Sequence, residues 1–236
     1  MTRIRFRYAV GEPLKFLSHL DLMRLFHRAL RRSAMPMAYT QGFSPHPRLN
    51  LAAPLPVGVT ASGEYGDLYL TEPKTPQVFL RLVSEQLPAG LALSGAIAVD
   101  PAEPSLAAVI DTALYHAAWP GPLPGPEAGE LEQALQQLLA RAEIKVKRRA
   151  KGGKTVETDI RPYIFEASLW LDEAGKAGLA LLLQLGGRGG VSPFLVLQQL
   201  DLRQEDAGDH LWRLHRQGLY VYDNGKVETP FWKGGE

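Results

Sequence analysis

Residues 3–33 read RIRFRYAVGEPLKFLSHLDLMRLFHRALRRS, and the hydrophobic period changes within that stretch. Over RIRFRYAV, Ile4, Phe6 and Tyr8 alternate with Arg3, Arg5 and Arg7, the period of two that gives a strand one apolar face. Over SHLDLMRLFHRALRRS, Leu22, Leu25, Phe26 and Ala29 recur at helical spacing while Arg24, Arg28, Arg31 and Arg32 point elsewhere. Ser18 is the expected N-cap, with Asp21 three residues on as a carboxylate version of the capping box. Pro36 ends the helix because it lacks the N–H that an i→i−4 bond requires.

Outward from this strand and helix, a second strand is expected over 37–40, followed by a Gly/Pro-punctuated stretch over 41–55. A strand over 65–70, a helix over 75–86 and a strand over 91–99 complete a β-α-β-β-α-β order, the split βαβ, ferredoxin-like arrangement. Residues 100–105, with two prolines, read as a linker. The order then returns more loosely: a strand over 108–119, a helix over 129–142, a strand over 144–149 and a hairpin tip at KGGK. Extended segments over 155–160, 164–171 and 178–185 follow, then a helix over 192–200 and a closing strand over 211–222. The expected fold is α+β: tandem ferredoxin-like (split β-α-β) domains with antiparallel sheets. The first domain, 1–100, carries a basic first helix, and the second, 106–236, a basic hairpin.

Cysteine is absent from the 236 residues, which excludes disulfides, Cys-ligated zinc and an iron–sulfur cluster held by this chain alone. MTRIRFRYAV lacks the continuous apolar core of a signal peptide, and the longest apolar run, GLALLLQL, is far short of a membrane span. A cytoplasmic protein with no membrane partner is therefore expected. The net charge is only +1, but it is unevenly distributed. Residues 1–48 hold nine basic against two acidic side chains, 49–140 two against ten, and 141–161 eight against three. Such asymmetry is what a surface for a polyanion needs, although a basic face can also serve solubility alone.

Three stretches carry residues suited to a site. On the first helix, Arg24, Arg28 and Arg31 at i, i+4 and i+7, with Arg32 beside them, form a row of guanidinium forks suited to phosphate; the alternatives are a solvated face or pairing with the acidic middle of the chain. QGFSPHPR over 41–48 is a stiff loop bearing Phe43, His46 and Arg48; Phe43 stacks on a base or plugs the core, the plug being the commoner use of such a ring. His19, Asp21 and His46 are the candidates for proton transfer or metal ligation, though without a metal-ligand spacing. In the KVKRRAKGGKTVETDIRPY stretch, Lys145, Lys147, Arg148, Arg149, Lys151 and Lys154 resemble a nucleic-acid-contacting β-ribbon. Asp159 and Arg161 beyond it suit a structural pair or substrate orientation better than catalysis. The glycines of LGGRGGVSPF before Ser192–Pro193 match no known nucleotide fingerprint, and read equally as an anion nest or a hairpin turn.

SHLDL at 18–22, GFSPHPR at 42–48, GEYGD at 63–67 and TDIRPYI at 158–164 together resemble the bacterial radical SAM-linked protein family. That family has no known function, and its members occur alone or fused to cobalamin-binding radical SAM proteins; the likeness covers nearly the whole chain. It implies a radical SAM protein as partner, supplying the iron–sulfur cluster, S-adenosylmethionine and cobalamin, with no cofactor bound by this chain. Family members tend to be encoded near ribonuclease and ribosomal-protein genes, which implies ribosomal or transfer RNA as the other partner. The expected function is an RNA-binding or substrate-presenting accessory module of an RNA-modification system. The alternatives are a stand-alone RNA-processing or RNA-modifying enzyme using Asp21 or Asp159 with a neighbouring histidine, and a protein-binding adaptor without RNA affinity.

Overall fold

The computed structural model describes residues 2–119, 127–149, 153, 155–171, 177–187, 189–200, 202, 212–223 and 225–230. Its elements are β1 (Thr2–Val10), α1 (His19–Arg32), β2 (Leu49–Leu51), β3 (Thr60–Leu70), α2 (Pro76–Ser84), β4 (Leu91–Val99), α3 (Leu106–Val109) and β5 (Thr112–Ala118). They continue with α4 (Ala128–Leu139), β6 (Lys145–Arg149), β7 (Thr155–Asp159), β8 (Ile164–Leu171), β9 (Ala177–Gln184), α5 (Pro193–Leu197), β10 (Arg213–Asp223) and β11 (Lys226–Glu228). The fold is α+β. Contacts divide the chain into two units, Met1–Asp111 with Arg216–Glu236, and Thr112–His215, so the C-terminal segment groups with the first.

In the first unit β1 is central, antiparallel to β3 on one side and to β4 on the other, and the short β2 pairs antiparallel with β3. One face of β1 builds the core. Phe6 lies 5.5 Å from Phe26 of α1 and 5.3 Å from Phe79 of α2, and Tyr8 meets Phe26 edge-on at 5.0 Å. Each such ring, fully buried, contributes on the order of 1.5–3 kcal/mol. α1 starts where Ser18 Oγ accepts the Asp21 N–H at 3.2 Å, and α2 where Thr75 Oγ1 accepts that of Val78 at 3.3 Å. Both caps satisfy donors that a helix start leaves orphaned. Gly66 faces Phe6 across the ladder, and a Cβ there would overlap the ring.

Two strand expectations need correction. Residues 37–40 form only isolated bridges, Met37 to Leu70 and Tyr39 to Pro47; the strand is β2, inside the stretch read as loop. The segment expected as one strand over 108–119 opens as the short helix α3 and becomes β5 only at Thr112.

In the second unit β9 lies between β5 and β8, antiparallel to both. α4 packs on β8 and β9. β6 and β7 form a separate two-stranded antiparallel ribbon with Lys145 opposite Asp159 and Lys147 opposite Glu157. Ile144 and Val146 are buried, so the face that these residues share with Arg148 is the inward one.

Candidate functional site

The other face of β1 is buried too at Arg3 and Arg5. Arg3 and Arg5 both close on Asp67: Arg3 Nε and Nη2 donate to its Oδ2 at 3.1 and 2.5 Å, and Arg5 Nε to its Oδ1 at 2.9 Å. Carbonyls of Glu103 and Pro104 take further Arg3 donors, so the segment read as a linker covers this face. Glu64, also fully buried, receives a guanidinium fork from Arg216 of β10, Nε at 2.7 Å and Nη2 at 2.5 Å. Burial, then Glu64, hold the nearby Tyr8 phenol well above its ordinary pKa. The GEYGD stretch therefore supplies the counter-charges of three buried arginines.

The arginines of α1 are exposed. Arg24 Nη1 pairs with Asp21 Oδ1 at 3.0 Å, and Arg32 Nη2 donates to the Gln86 carbonyl at 2.5 Å, whereas Arg28 and Arg31 have no partner among the described residues. The Ser18 hydroxyl donates to Asp21 Oδ2 at 2.6 Å, and that bond, followed by Arg24, lowers the Asp21 pKa. Asp21 thus acts as an ionised cap, a poor setting for a general base working near neutrality. Beside it, Leu14, Leu17, Leu25, Pro88, Arg28 and Arg32 line a shallow groove of about 440 Å³. Phe16 and Leu20 are 72% and 64% exposed.

The 41–48 loop is closed by reciprocal bonds. Thr40 N–H donates to the His46 carbonyl at 2.9 Å, and the His46 N–H to Thr40 Oγ1 at 3.1 Å. His46 Nδ1 lies 3.2 Å from both Thr40 Oγ1 and the Ser44 carbonyl, so local bonds hold the ring. Phe43 is fully exposed, which overturns the plug reading. The Arg48 guanidinium stacks 4.2 Å from the Tyr69 ring centroid, a cation–π contact. His27, which the sequence reading passed over, has its pKa lowered by burial and then by His46 and Arg31. Its Nε2 and the Nδ1 of His19 are shielded from water without a hydrogen-bond partner. Among the described residues no group of three or more His, Asp or Glu is placed to hold a metal ion.

On the β6–β7 ribbon, Lys145 pairs with Glu143 at 2.7 Å, which raises its pKa, and Lys147 has no ion-pair partner among the described residues. Asp159 Oδ1 accepts the backbone N–H of Ile144 at 2.8 Å and of Arg161 at 3.0 Å; these bonds lower its pKa and make it the clasp of the ribbon base. Arg161 Nη1 donates to the Ile164 carbonyl at 3.2 Å. Lys151, Lys154 and the Arg149 side chain lie outside the described residues. Arg148 reaches the glycine loop, where its Nη2 donates to the Gly190 carbonyl at 2.9 Å while its Nε is shielded from water and lacks an acceptor. Lys147, Arg148, the loop glycines and Ser192 border a cavity of about 750 Å³. The ribbon and the glycines, read separately in the sequence, thus meet at one place. The signal that joins them is Val146, whose apolar side chain two residues before Arg148 marks that face as inward.

Together the fold and these surfaces define an α+β protein that neutralises three arginines internally and, among its described residues, presents exposed basic side chains on α1 and on the β6–β7 ribbon. A family model described as an uncharacterized protein conserved in bacteria (DUF2344) matches residues 3–193, and the chain belongs to this family. It is a bacterial family often found fused to cobalamin-binding radical SAM proteins. No curated protein matches the chain. No described helix is long and apolar enough to cross a membrane.

Proposed function

We propose that this chain is an RNA-binding, substrate-presenting module of a radical SAM RNA-modification system, acting in the cytoplasm beside a protein that carries the iron–sulfur cluster, S-adenosylmethionine and cobalamin. The family membership supports the radical SAM association. The observation that carries the RNA reading is that the first unit offers uncompensated cations, Arg28 and Arg31, together with a fully exposed aromatic, Phe43. Cations follow a phosphate backbone and an unburied ring stacks on an unpaired base, the combination that single-stranded RNA recognition uses. Arg24 and Arg32 extend the row, and Lys147 supplies a further cation on the ribbon of the second unit. The same reading takes each unit as a split β-α-β, ferredoxin-like module, which the antiparallel arrangement of β4, β1, β3 and β2 supports for the first.

The test is fluorescence anisotropy of a labelled ribosomal or transfer RNA fragment against the purified chain at 50 and 200 mM salt. Affinity should fall steeply with salt, because each neutralised phosphate releases counterions. Changing Arg24, Arg28 and Arg31 to Glu should abolish binding and leave the fold intact, since all three are exposed. Affinity that does not depend on salt, or that survives the triple change, refutes the reading. The adaptor reading is favoured by one feature, the largely apolar groove beside α1, with Phe16 and Leu20 exposed next to its lining residues in the sequence. It expects a stable complex with the radical SAM protein, lost on Leu20→Asp, and no RNA affinity at physiological salt.

A further inference from the structure

We propose that the open depression between the β6–β7 ribbon and loop residues 185–187 and 189–192 binds a nucleoside 5′-phosphate, held as a dianionic phosphomonoester. This site belongs to the second unit and is independent of the α1 arginine row that carries the RNA reading. Four observations meet there.

The first is charge. Lys147 and Arg148 border the depression, and none of the described residues that border it is acidic. Arg148 lies on the inward face of the ribbon and Lys147, on the opposite face, reaches the rim through its flexible stem; together the two positive charges match a phosphomonoester, which carries close to two negative charges at neutral pH, better than the single charge of a backbone phosphodiester. Lys147 is not spent on Glu157, its neighbour across the ribbon.

The second is unfinished bonding. Nη2 is the one Arg148 donor with an acceptor among the described residues, the Gly190 carbonyl. Its Nε is shielded from water and has no acceptor among the described residues. A guanidinium anchored at one nitrogen with the others unsatisfied is pre-oriented for a bidentate oxyanion. Ser192 is the N-cap residue of α5 but makes no side-chain cap bond, so its hydroxyl is also uncommitted.

The third is the loop itself. Carbonyl oxygens repel an anion, and here they are taken by internal donors: Gly186 O by the Gly189 N–H at 3.2 Å, Gly189 O by Gln184 Nε2 at 3.4 Å, and Gly190 O by Arg148. Gly186 and Gly189 have φ of +102° and +109°, a region that favours glycine. A Cβ at Gly190 would sit 2.6 Å from the Gln184 carbonyl oxygen, so the backbone comes as close to its neighbours as glycine permits.

The fourth is size and lining. About 750 Å³ is far more than a phosphate needs and falls within the range of small-ligand sites. Leu185, Val191 and Leu195 give it an apolar wall, against which a base or ribose can lie. A phosphomonoester of this kind is available either on a free nucleotide or at the 5′ end of an RNA strand.

Isothermal titration calorimetry on the full chain tests the proposal with adenosine 5′-monophosphate, adenosine, inorganic phosphate, and one tetraribonucleotide with and without its 5′-phosphate. At least one 5′-phosphorylated ligand should bind and adenosine should not, the 5′-hydroxyl tetranucleotide should not bind once Arg24, Arg28 and Arg31 are changed to Glu to remove the α1 row, and inorganic phosphate should bind at least ten-fold more weakly. Lys147→Gln and Arg148→Gln should each weaken binding ten-fold or more. Lys147 is exposed, so its variant stays informative if the Arg148 variant fails to fold. Changing Arg24, Arg28 and Arg31 to Glu should leave this binding unchanged, so loss of RNA affinity in that variant with nucleotide binding intact separates the two readings. Equal affinity for the mononucleotide and the phosphorylated tetranucleotide assigns a free nucleotide; preference for the tetranucleotide assigns an RNA end. No binding of either phosphorylated ligand at millimolar concentration overturns the proposal, as does binding that both pocket variants leave unchanged. Inorganic phosphate binding as tightly as the nucleotide overturns the nucleoside part.

Discussion

Replacing Arg216 by Met should unfold the first unit's sheet long before it disturbs the second unit. Arg216 and Glu64 are separated by 152 positions and exchange two charge-assisted bonds of 2.7 and 2.5 Å with water excluded from both side chains. Arg216 Nη1 also donates to the Pro54 carbonyl at 3.1 Å, so the side chain ties β10 to two parts of the N-terminal half. Removing it leaves a buried carboxylate without its counter-charge, a loss of about 3–5 kcal/mol and a large share of the roughly 5–15 kcal/mol that holds a typical domain together. Glu64→Leu should lose a similar amount by stranding the guanidinium. Combining the two removes both charges, so the double variant should sit well above the sum, with a coupling of at least about 3 kcal/mol. Tryptophan fluorescence does not isolate the first unit, because three of the four tryptophans, Trp119, Trp170 and Trp212, belong to the second. Amide hydrogen exchange read by mass spectrometry resolves the units: protection in β1, β3 and β10 should fall in each single variant and recover in the double, with β8 and β9 unchanged. Single variants within about 1 kcal/mol of the parent, or a double variant equal to the sum, would falsify the idea that this pair pins the C-terminal strand.

Three further outcomes are expected. Gly66→Ala places a methyl against the Phe6 ring and should destabilise the first unit by about 1–3 kcal/mol, part of which Phe6→Leu should restore; a neutral effect in urea unfolding counts against the packing described. Burial lowers the pKa of His116, and burial followed by His116 lowers that of His215. Below the ordinary imidazole value of about 6.5 the unfolded chain therefore takes up protons that the folded chain refuses, and stability present above that pH is lost as pH falls. The urea midpoint should drop between pH 7.5 and 5.5, and a midpoint that rises on acidification contradicts this sign. Phe43→Ala should leave the unfolding midpoint unchanged, because the ring buries nothing, and weaken RNA binding by about 1–3 kcal/mol if it stacks on a base. A drop in stability with unchanged RNA affinity is the opposite result.

The parts of the fold legible in the sequence are those where periodicity and burial agree. β1 and α1 stood out because Ile4, Phe6 and Tyr8 at period two, and Leu22, Leu25 and Phe26 at helical spacing, face one core. β2 escaped because three residues among prolines and glycines carry too little pattern, and 37–40 misled because its apolar residues are buried without a ladder. The alternation of Arg3, Arg5 and Arg7 marked a strand but not the burial of its second face, since the sequence contains no local sign that 103–104 and Asp67 cover it. Net charge by segment failed for the same reason. The acidic middle of the chain reads as a bulk counterweight, yet Glu64 and Asp67 are individual partners of Arg216, Arg3 and Arg5, fixed by cross-strand register. A block count treats those arginines as equal to Arg28 and Arg31, although a buried pair presents no charge outward. Among the described residues, the candidates for the proposed polyanion contacts are therefore fewer than the sequence count implies: exposed arginines on α1 and the exposed Phe43 ring in the first unit, and Lys147 with Arg148 in the second. The buried clusters hold three arginines against two carboxylates, so a cationic face on a chain of nearly neutral net charge comes from where its exposed charges are placed along the fold and not from acidic residues consumed inside.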